Sequence, residues 1–310
     1  MKSDPSWPVA ARRSVWTRGY FLAVFAASLW GVSGACAQYL FQQKGVSIDW
    51  LVSVRLLVAG CVLLAYAAVQ QQPLLAVWRS WRSSCDALAF GVFGMLGVQY
   101  TYFAVIEASN AATGTVLQYL GPTVIVVYLA IRERRWPRRV ELLALLLALV
   151  GTLLLVTHGD IGVLQISPQA LFWGLSSACA LAFYTVQPVR LLQQQPATLV
   201  VGWGMLIGGV ASMVWSRPWV VPGVWDVGTW LAVLFVVWLG TLVAFQAYLL
   251  AVQQIGPQRT SLLACAEPLA AALVAVAWLQ VPFGVLDVLG SVCIVLTIVV
   301  LTLQPDRQPH

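Results

Sequence analysis

The sequence predicts an all-α integral membrane protein of ten transmembrane helices, arranged as two inverted five-helix repeats. Three observations carry that expectation. The 310-residue chain is 60% hydrophobic and 9% charged, against roughly 25% charged residues in a soluble protein, so a water-facing surface cannot be built from it. Ten apolar stretches follow one another, each close to the roughly 20 residues that cross the hydrocarbon as a helix. The second half of the chain also repeats the first at a nearly constant offset.

The first stretch, Tyr20–Leu40, follows Arg12, Arg13 and Arg18 and ends in Ala35-Cys36-Ala37, which looks like a signal-peptide cleavage site. It is too long for a typical signal core and has a counterpart later in the chain, so it is read as retained. The second, Trp50–Val69, carries Arg55 about one turn below its outer end. The third, Cys85–Ile106, bears Gln99, Tyr100 and Tyr102. The fourth, Asn110–Ile131, bears Gln118 and Tyr119 and is interrupted at Gly121-Pro122. A basic run from Arg132 to Arg139 leads into the fifth, Val140–Val156; lying between two spans, it reads as a topology determinant rather than a nucleic-acid patch. The sixth, Pro168–Val189, holds Tyr184 and Gln187. The seventh is Thr198–Val214. The eighth, Gly228–Val252, holds Gln246 and Tyr248. The ninth, Pro257–Leu279, contains Glu267-Pro268, and the tenth is Phe283–Leu303. Short connections leave no room for a soluble domain. The expected division is an N-terminal segment (1–19), a first repeat (20–156), a second repeat (168–303) and a tail (304–310).

Lys and Arg set the orientation. Fourteen lie at one set of ends and only Lys44 and Arg217 at the other, with Arg55 inside a span. Basic loops stay in the cytoplasm, so both termini are expected there, in a multi-pass protein of the cell (inner) membrane. The six cysteines sit in or beside apolar runs without a CxxC pair; they read as small buried side chains, and no metal or cofactor is expected.

A shift of 146 residues lays Tyr102–Val156 on Tyr248–Thr302 without a gap, matching Tyr102 to Tyr248, Pro122 to Pro268, Glu141 to Asp287 and Ala144 to Gly290. A shift of 148 lays Leu51–Gly60 on Leu199–Gly208. Five helices per repeat is an odd number, so the second half enters the membrane inverted. Inverted repeats with a site near the midplane are a transporter architecture.

The chain resembles the EamA family of the drug/metabolite transporter superfamily. The resemblance lies in Leu29-Trp30-Gly31-Val32-Ser33-Gly34, Val54-Arg55-Leu56, Tyr102-Phe103-Ala104, Leu120-Gly121-Pro122 and the basic turn with Glu133 before Gly151. In the second half it lies in Tyr248, Glu267-Pro268 and Gly290. It implies two EamA repeats, alternating access, and export or exchange of a small metabolite. Where such chains carry an acid before the last helix, this one has Leu279-Gln280-Val281.

Ionisable groups inside a membrane are expensive and point to function. Arg55 could hold a carboxylate. Glu267 precedes Pro268, whose missing N–H frees the carbonyl of Ala264; an acid at such a break could meet an ammonium or exchange a proton. Pro122 marks the matching break in the fourth span. Trp30, Gln99, Tyr102, Gln118, Tyr119, Tyr184, Gln187, Gln246 and Tyr248 supply the remaining polar and aromatic candidates for a substrate site. Common soluble-enzyme motifs, including Walker A, HExxH, the Rossmann fingerprint and GxSxG, are absent. Gly31-Val32-Ser33-Gly34 matches an intramembrane-protease GxSG, but the only histidines, His158 and His310, lie outside the spans, and close helix packing explains the glycines better. A non-enzymatic carrier for an amino acid or related amphiphile is expected, a monomer or homodimer, with lipid and a small molecule as partners and a proton as candidate coupling ion. An amphiphilic drug or amine exporter, or a non-transporting scaffold or sensor, are the alternatives.

Overall fold

The computed structural model describes residues 9–303 except 110, 135, 165, 215 and 280–282, and it leaves out the side chains of 9–15, 111, 275 and 277–279. Lys2, Arg135, Arg307, His310, the side chains of Arg12 and Arg13, the tail from residue 304, and Gln280-Val281 therefore lie outside the described residues.

Among the described residues all regular structure is helical. The helices are α1 (Val9–Lys44), α2 (Ile48–Val69), α3 (Trp81–Ala108), α4 in two pieces (Ala111–Gln118 and Gly121–Arg132) and α5 (Arg139–Thr157). They continue with α6 (Pro168–Gln194), α7 (Ala197–Ser212), α8 (Val227–Ile255), α9 in two pieces (Pro257–Leu263 and Ala266–Leu279) and α10 (Val285–Thr302). Eight of them are long and apolar enough to cross a membrane: α1 to α6, α8 and α10. The two others, α7 and α9, are not among them. α7 stops after 16 residues at Ser212. α9 is divided by a turn at Ala264-Cys265, just before Glu267-Pro268.

The same local devices recur in both halves. Glu141 accepts the N–H of Arg138 at 2.9 Å, and Asp287 accepts that of Gly284 at 2.7 Å. These acids, 146 residues apart, satisfy donors that a helix start leaves orphaned. A π-helical turn interrupts α3 at Phe90–Leu96 and α8 at Trp238–Val243. Lys44 at the end of α1 pairs with Asp226 at the start of α8, while Arg190 near the end of α6 lies 3.6 Å from Asp86 at the start of α3. Lys44 and Arg190 are again 146 apart.

Packing is reciprocal. α1 lies against α8 and α9, and α6 against α3 and α4, so the opening helix of each half packs on the third and fourth of the other. α5 and α10 run antiparallel, with Thr297 by the Ala144 carbonyl, Gly151 by Gly290 and His158 by Asp287. α2 and α7 also run antiparallel, from Ser53 beside Ser212 to Gly60 beside Leu206. Helices in lipid have no hydrophobic drive to associate, so small residues that admit close backbone contact carry such crossings. A Cβ on Gly60 would stand 2.6 Å from the Leu206 nitrogen, whereas one on Gly34 would meet nothing within 4 Å. Gly60→Val is therefore expected to destabilise the chain by about 1–3 kcal/mol, read as a lower unfolding temperature in detergent, and Gly34→Ala to leave it unchanged.

Candidate functional site

α1, α2, α3, α4, α6, α8 and α9 enclose a cavity of ≈ 80 Å³, lined by Trp30, Ser33, Gly34, Arg55, Val98, Gln99, Tyr102, Phe103, Gln118, Tyr119, Leu181, Tyr184, Phe245, Ala264 and Glu267. A second cavity of ≈ 280 Å³ shares Gly34, Tyr102 and Glu267 with it and extends past Thr115 and Pro268 to His158. α5, α7 and α10 contribute nothing to the first cavity and brace it from outside.

The two helix breaks meet at its floor. Tyr119 occupies the turn of α4 and Ala264 that of α9, and Tyr119 Oη donates to the Ala264 carbonyl at 2.6 Å. Pro268 denies this carbonyl its usual i+4 donor, and the Glu267 N–H donates to it instead at 2.9 Å. Tyr119 Oη also lies 3.0 Å from Glu267 Oε2. A phenol has one proton for these two acceptors. With a protonated carboxyl, Glu267 itself donates to Tyr119 and both contacts are satisfied; with an ionised one, carboxylate and carbonyl compete for a single hydrogen.

Arg55 reaches deeper than its place near the helix end suggests. It is 5% exposed, 5.5 Å from the ring centre of Phe103 and 5.9 Å from that of Phe245, and its Nε has no hydrogen-bond partner. Desolvated cation–π contacts are worth up to about 2 kcal/mol each, which offsets part of the cost of burying the guanidinium.

Eight of the eleven residues singled out from the sequence line the cavity: Trp30, Arg55, Gln99, Tyr102, Gln118, Tyr119, Tyr184 and Glu267. Gln99 is held by the Met95 carbonyl and Gln118 by Ser177, each at 2.9 Å, and Tyr102 by Thr115 at 3.1 Å. Tyr248 stands one layer back. It is fully buried, bonded to Thr185 at 3.0 Å, and its ring lies 5.5 Å from Tyr184 and 5.0 Å from Trp30. Gln187 and Gln246 lie outside the cavity and tie helices together, Gln187 through the Asp86 carbonyl and Gln246 through Thr198. Pro122 and Pro268 sit just after the turns that divide α4 and α9, at the second and third residues of the pieces that follow. The sequence reading missed Phe245 as a wall residue. The signal was available, since Phe245 stands one repeat offset from Gln99. Ser33 lines the first cavity and His158 the second, where His158 Nδ1 bonds the buried Asp287 at 2.7 Å.

The profile of the EamA-like transporter family matches residues 17–157 and again 168–303. The chain belongs to the EamA-like transporter family. It is 39% identical over 295 residues to the uncharacterized inner membrane transporter YicL of Salmonella typhimurium, covering 94% of this chain and 97% of that one. It is 22% identical over 222 residues to the uncharacterized transporter YyaM of Bacillus subtilis, covering 69% and 72%. It is 24% identical over 205 residues to the aromatic amino acid exporter YddG of Ancylobacter novellus, covering 65% and 66%. A solved crystal structure at 22% identity superposes with a TM-score of 0.74 over 93% of this chain and 96% of that one, which shows a common fold. This EamA-like chain is a membrane transporter, multi-pass in the inner membrane, and so works on a small molecule across a lipid bilayer.

Proposed function

We propose that this transporter crosses the membrane ten times as two inverted five-helix repeats. In this reading it exports or exchanges an amino acid or related amphiphile by alternating access, with both termini in the cytoplasm. The observation that carries the proposal is the meeting of the two helix breaks at one cavity, where an acid, a base and aromatic walls converge. Broken helices in corresponding positions of two repeats mark the binding site in such carriers. Reciprocal packing of α1 and α6, and the antiparallel pairs α5·α10 and α2·α7, support the inversion. α7, at 16 residues, spans about 24 Å, which a modest local thinning of the bilayer accommodates. The match to an aromatic amino acid exporter supports the substrate class.

The topology part has its own check. A reporter at Gln195 is expected to behave as cytoplasmic and one at Gly162 as external; opposite labelling at both would reverse the orientation. For the substrate, uptake of a metabolite panel into everted vesicles should depend on this chain for one or more amino acids. One feature favours a second reading, an amphiphilic amine exporter: Glu267 is an acid in an apolar, aromatic cavity. Uptake of lipophilic amines without amino acids would select it, and no chain-dependent uptake would indicate a scaffold or sensor.

A further inference from the structure

We infer that Arg55 is the anion-binding residue of this cavity and that the transported solute carries a carboxylate which Arg55 receives. The inference rests on the amino-acid reading above and adds to it where the solute's charged ends go. Arg55 is buried in the middle of the bundle, yet among the described residues no carboxylate is bonded to it, and its Nε has no partner. The other ionisable group that could neutralise it, Glu267, is engaged with Tyr119 instead. Phe103 and Phe245 attract the charge with their ring faces, but a ring is a poor acceptor for the five N–H groups of a guanidinium.

The neighbouring wall repeats the pattern. Trp30 Nε1 and Tyr184 Oη are buried without a partner, and both residues line the same cavity. An indole can only donate, and a phenol can donate. Three buried donors around one space complement a carboxylate, whose two oxygens accept about four hydrogen bonds and suit a guanidinium in particular. The acceptors lie elsewhere on the wall. Gln99 Oε1 is without a partner, and the Glu267 carboxyl and Tyr119 lie together at the helix breaks. A solute with a carboxylate toward Arg55, an ammonium toward Glu267 and an apolar body against Phe103 and Phe245 satisfies both ends. A phosphate ester would bring up to two negative charges to one guanidinium in an apolar chamber, so a carboxylate is the better complement.

The test compares four probes on the purified full-length chain in lipid nanodiscs, with binding read as a shift in unfolding temperature. The probes are L-phenylalanine, 3-phenylpropionate, L-phenylalaninamide and phenethylamine. The wild type should bind the two carboxylates at least about 10-fold more tightly than the amide and the amine. Arg55→Gln should erase that preference, and Arg55→Lys should keep part of it. The wild-type ranking decides the matter even if Arg55→Gln folds poorly. Equal affinity for all four probes, or a carboxylate preference that survives in Arg55→Gln, overturns the inference and leaves the amino-acid reading standing. Arg55-dependent binding of 3-phenylpropionate without phenylalanine upholds the anion site and overturns the amino-acid reading. Binding of none overturns both.

Discussion

Glu267→Gln is expected to abolish transport driven by a pH gradient and to spare substrate exchange at equal pH on the two sides. The substitution keeps the shape of the side chain and a hydrogen bond to Tyr119, 3.0 Å from Glu267 Oε2 in the wild type, but removes the group that can take up a proton. The single hydrogen of Tyr119 serves both the Ala264 carbonyl and the carboxylate unless Glu267 brings its own. Protonation thus completes the floor of the cavity, and ionisation frees an acceptor there for an ammonium. A carrier in which proton and substrate occupy Glu267 in turn couples the two fluxes. The measurement is accumulation in proteoliposomes with and without an imposed pH gradient. Wild-type pH dependence in the variant would make Glu267 a structural acid and place any coupling elsewhere.

Tyr248→Ala is expected to remove most of the protein from the membrane, whereas Trp30→Ala removes transport and leaves abundance near wild type. Tyr248 is fully buried, bonds Thr185 and packs on Tyr184 and Trp30, so it holds the wall without lining the cavity. Truncating such an aromatic costs about 3–5 kcal/mol, a large part of the 5–15 kcal/mol that keeps a typical domain folded. Trp30 lines the cavity directly. Quantifying both variants in membrane fractions beside their exchange rates separates the two roles. Equal loss of abundance in both would assign Trp30 to packing as well.

Much of the architecture is visible in the sequence because the bilayer imposes it. Apolar length gives the eight helices long enough to cross a membrane, and the offset of 146 that pairs Glu141 with Asp287 reappears as the same acid-capped helix start in α5 and α10. Side-chain destination is less visible. Gln118 and Gln246 are alike as residues in apolar helices, yet one lines the cavity and the other bonds Thr198 beyond it. Any amide in hydrocarbon turns inward to find a partner, and one sequence does not say whether that partner is a ligand or a neighbouring helix. The depth of Arg55 is hidden for another reason. Its place one turn below the helix end does not fix how deep the charge sits, because a long flexible side chain lets the guanidinium lie near both Phe103 and Phe245. The shortness of α7 follows from the chain leaving the helix at Ser212, before the loop that holds Arg217 and Pro218. A hydropathy window does not mark that exit, since Met213 and Val214 are still apolar.

The account rests on the cavity between the two halves being the transport site, open to one side at a time. Gly34 is the place to ask, because it lines both cavities and a Cβ there meets nothing within 4 Å. A Gly34→Cys chain in intact cells should react with a membrane-impermeant maleimide above the background of the native cysteines. A transported amino acid should slow that reaction, and phenethylamine at the same concentration should slow it less. Labelling indifferent to any transported solute, or equally fast from both faces of the membrane, would contradict it.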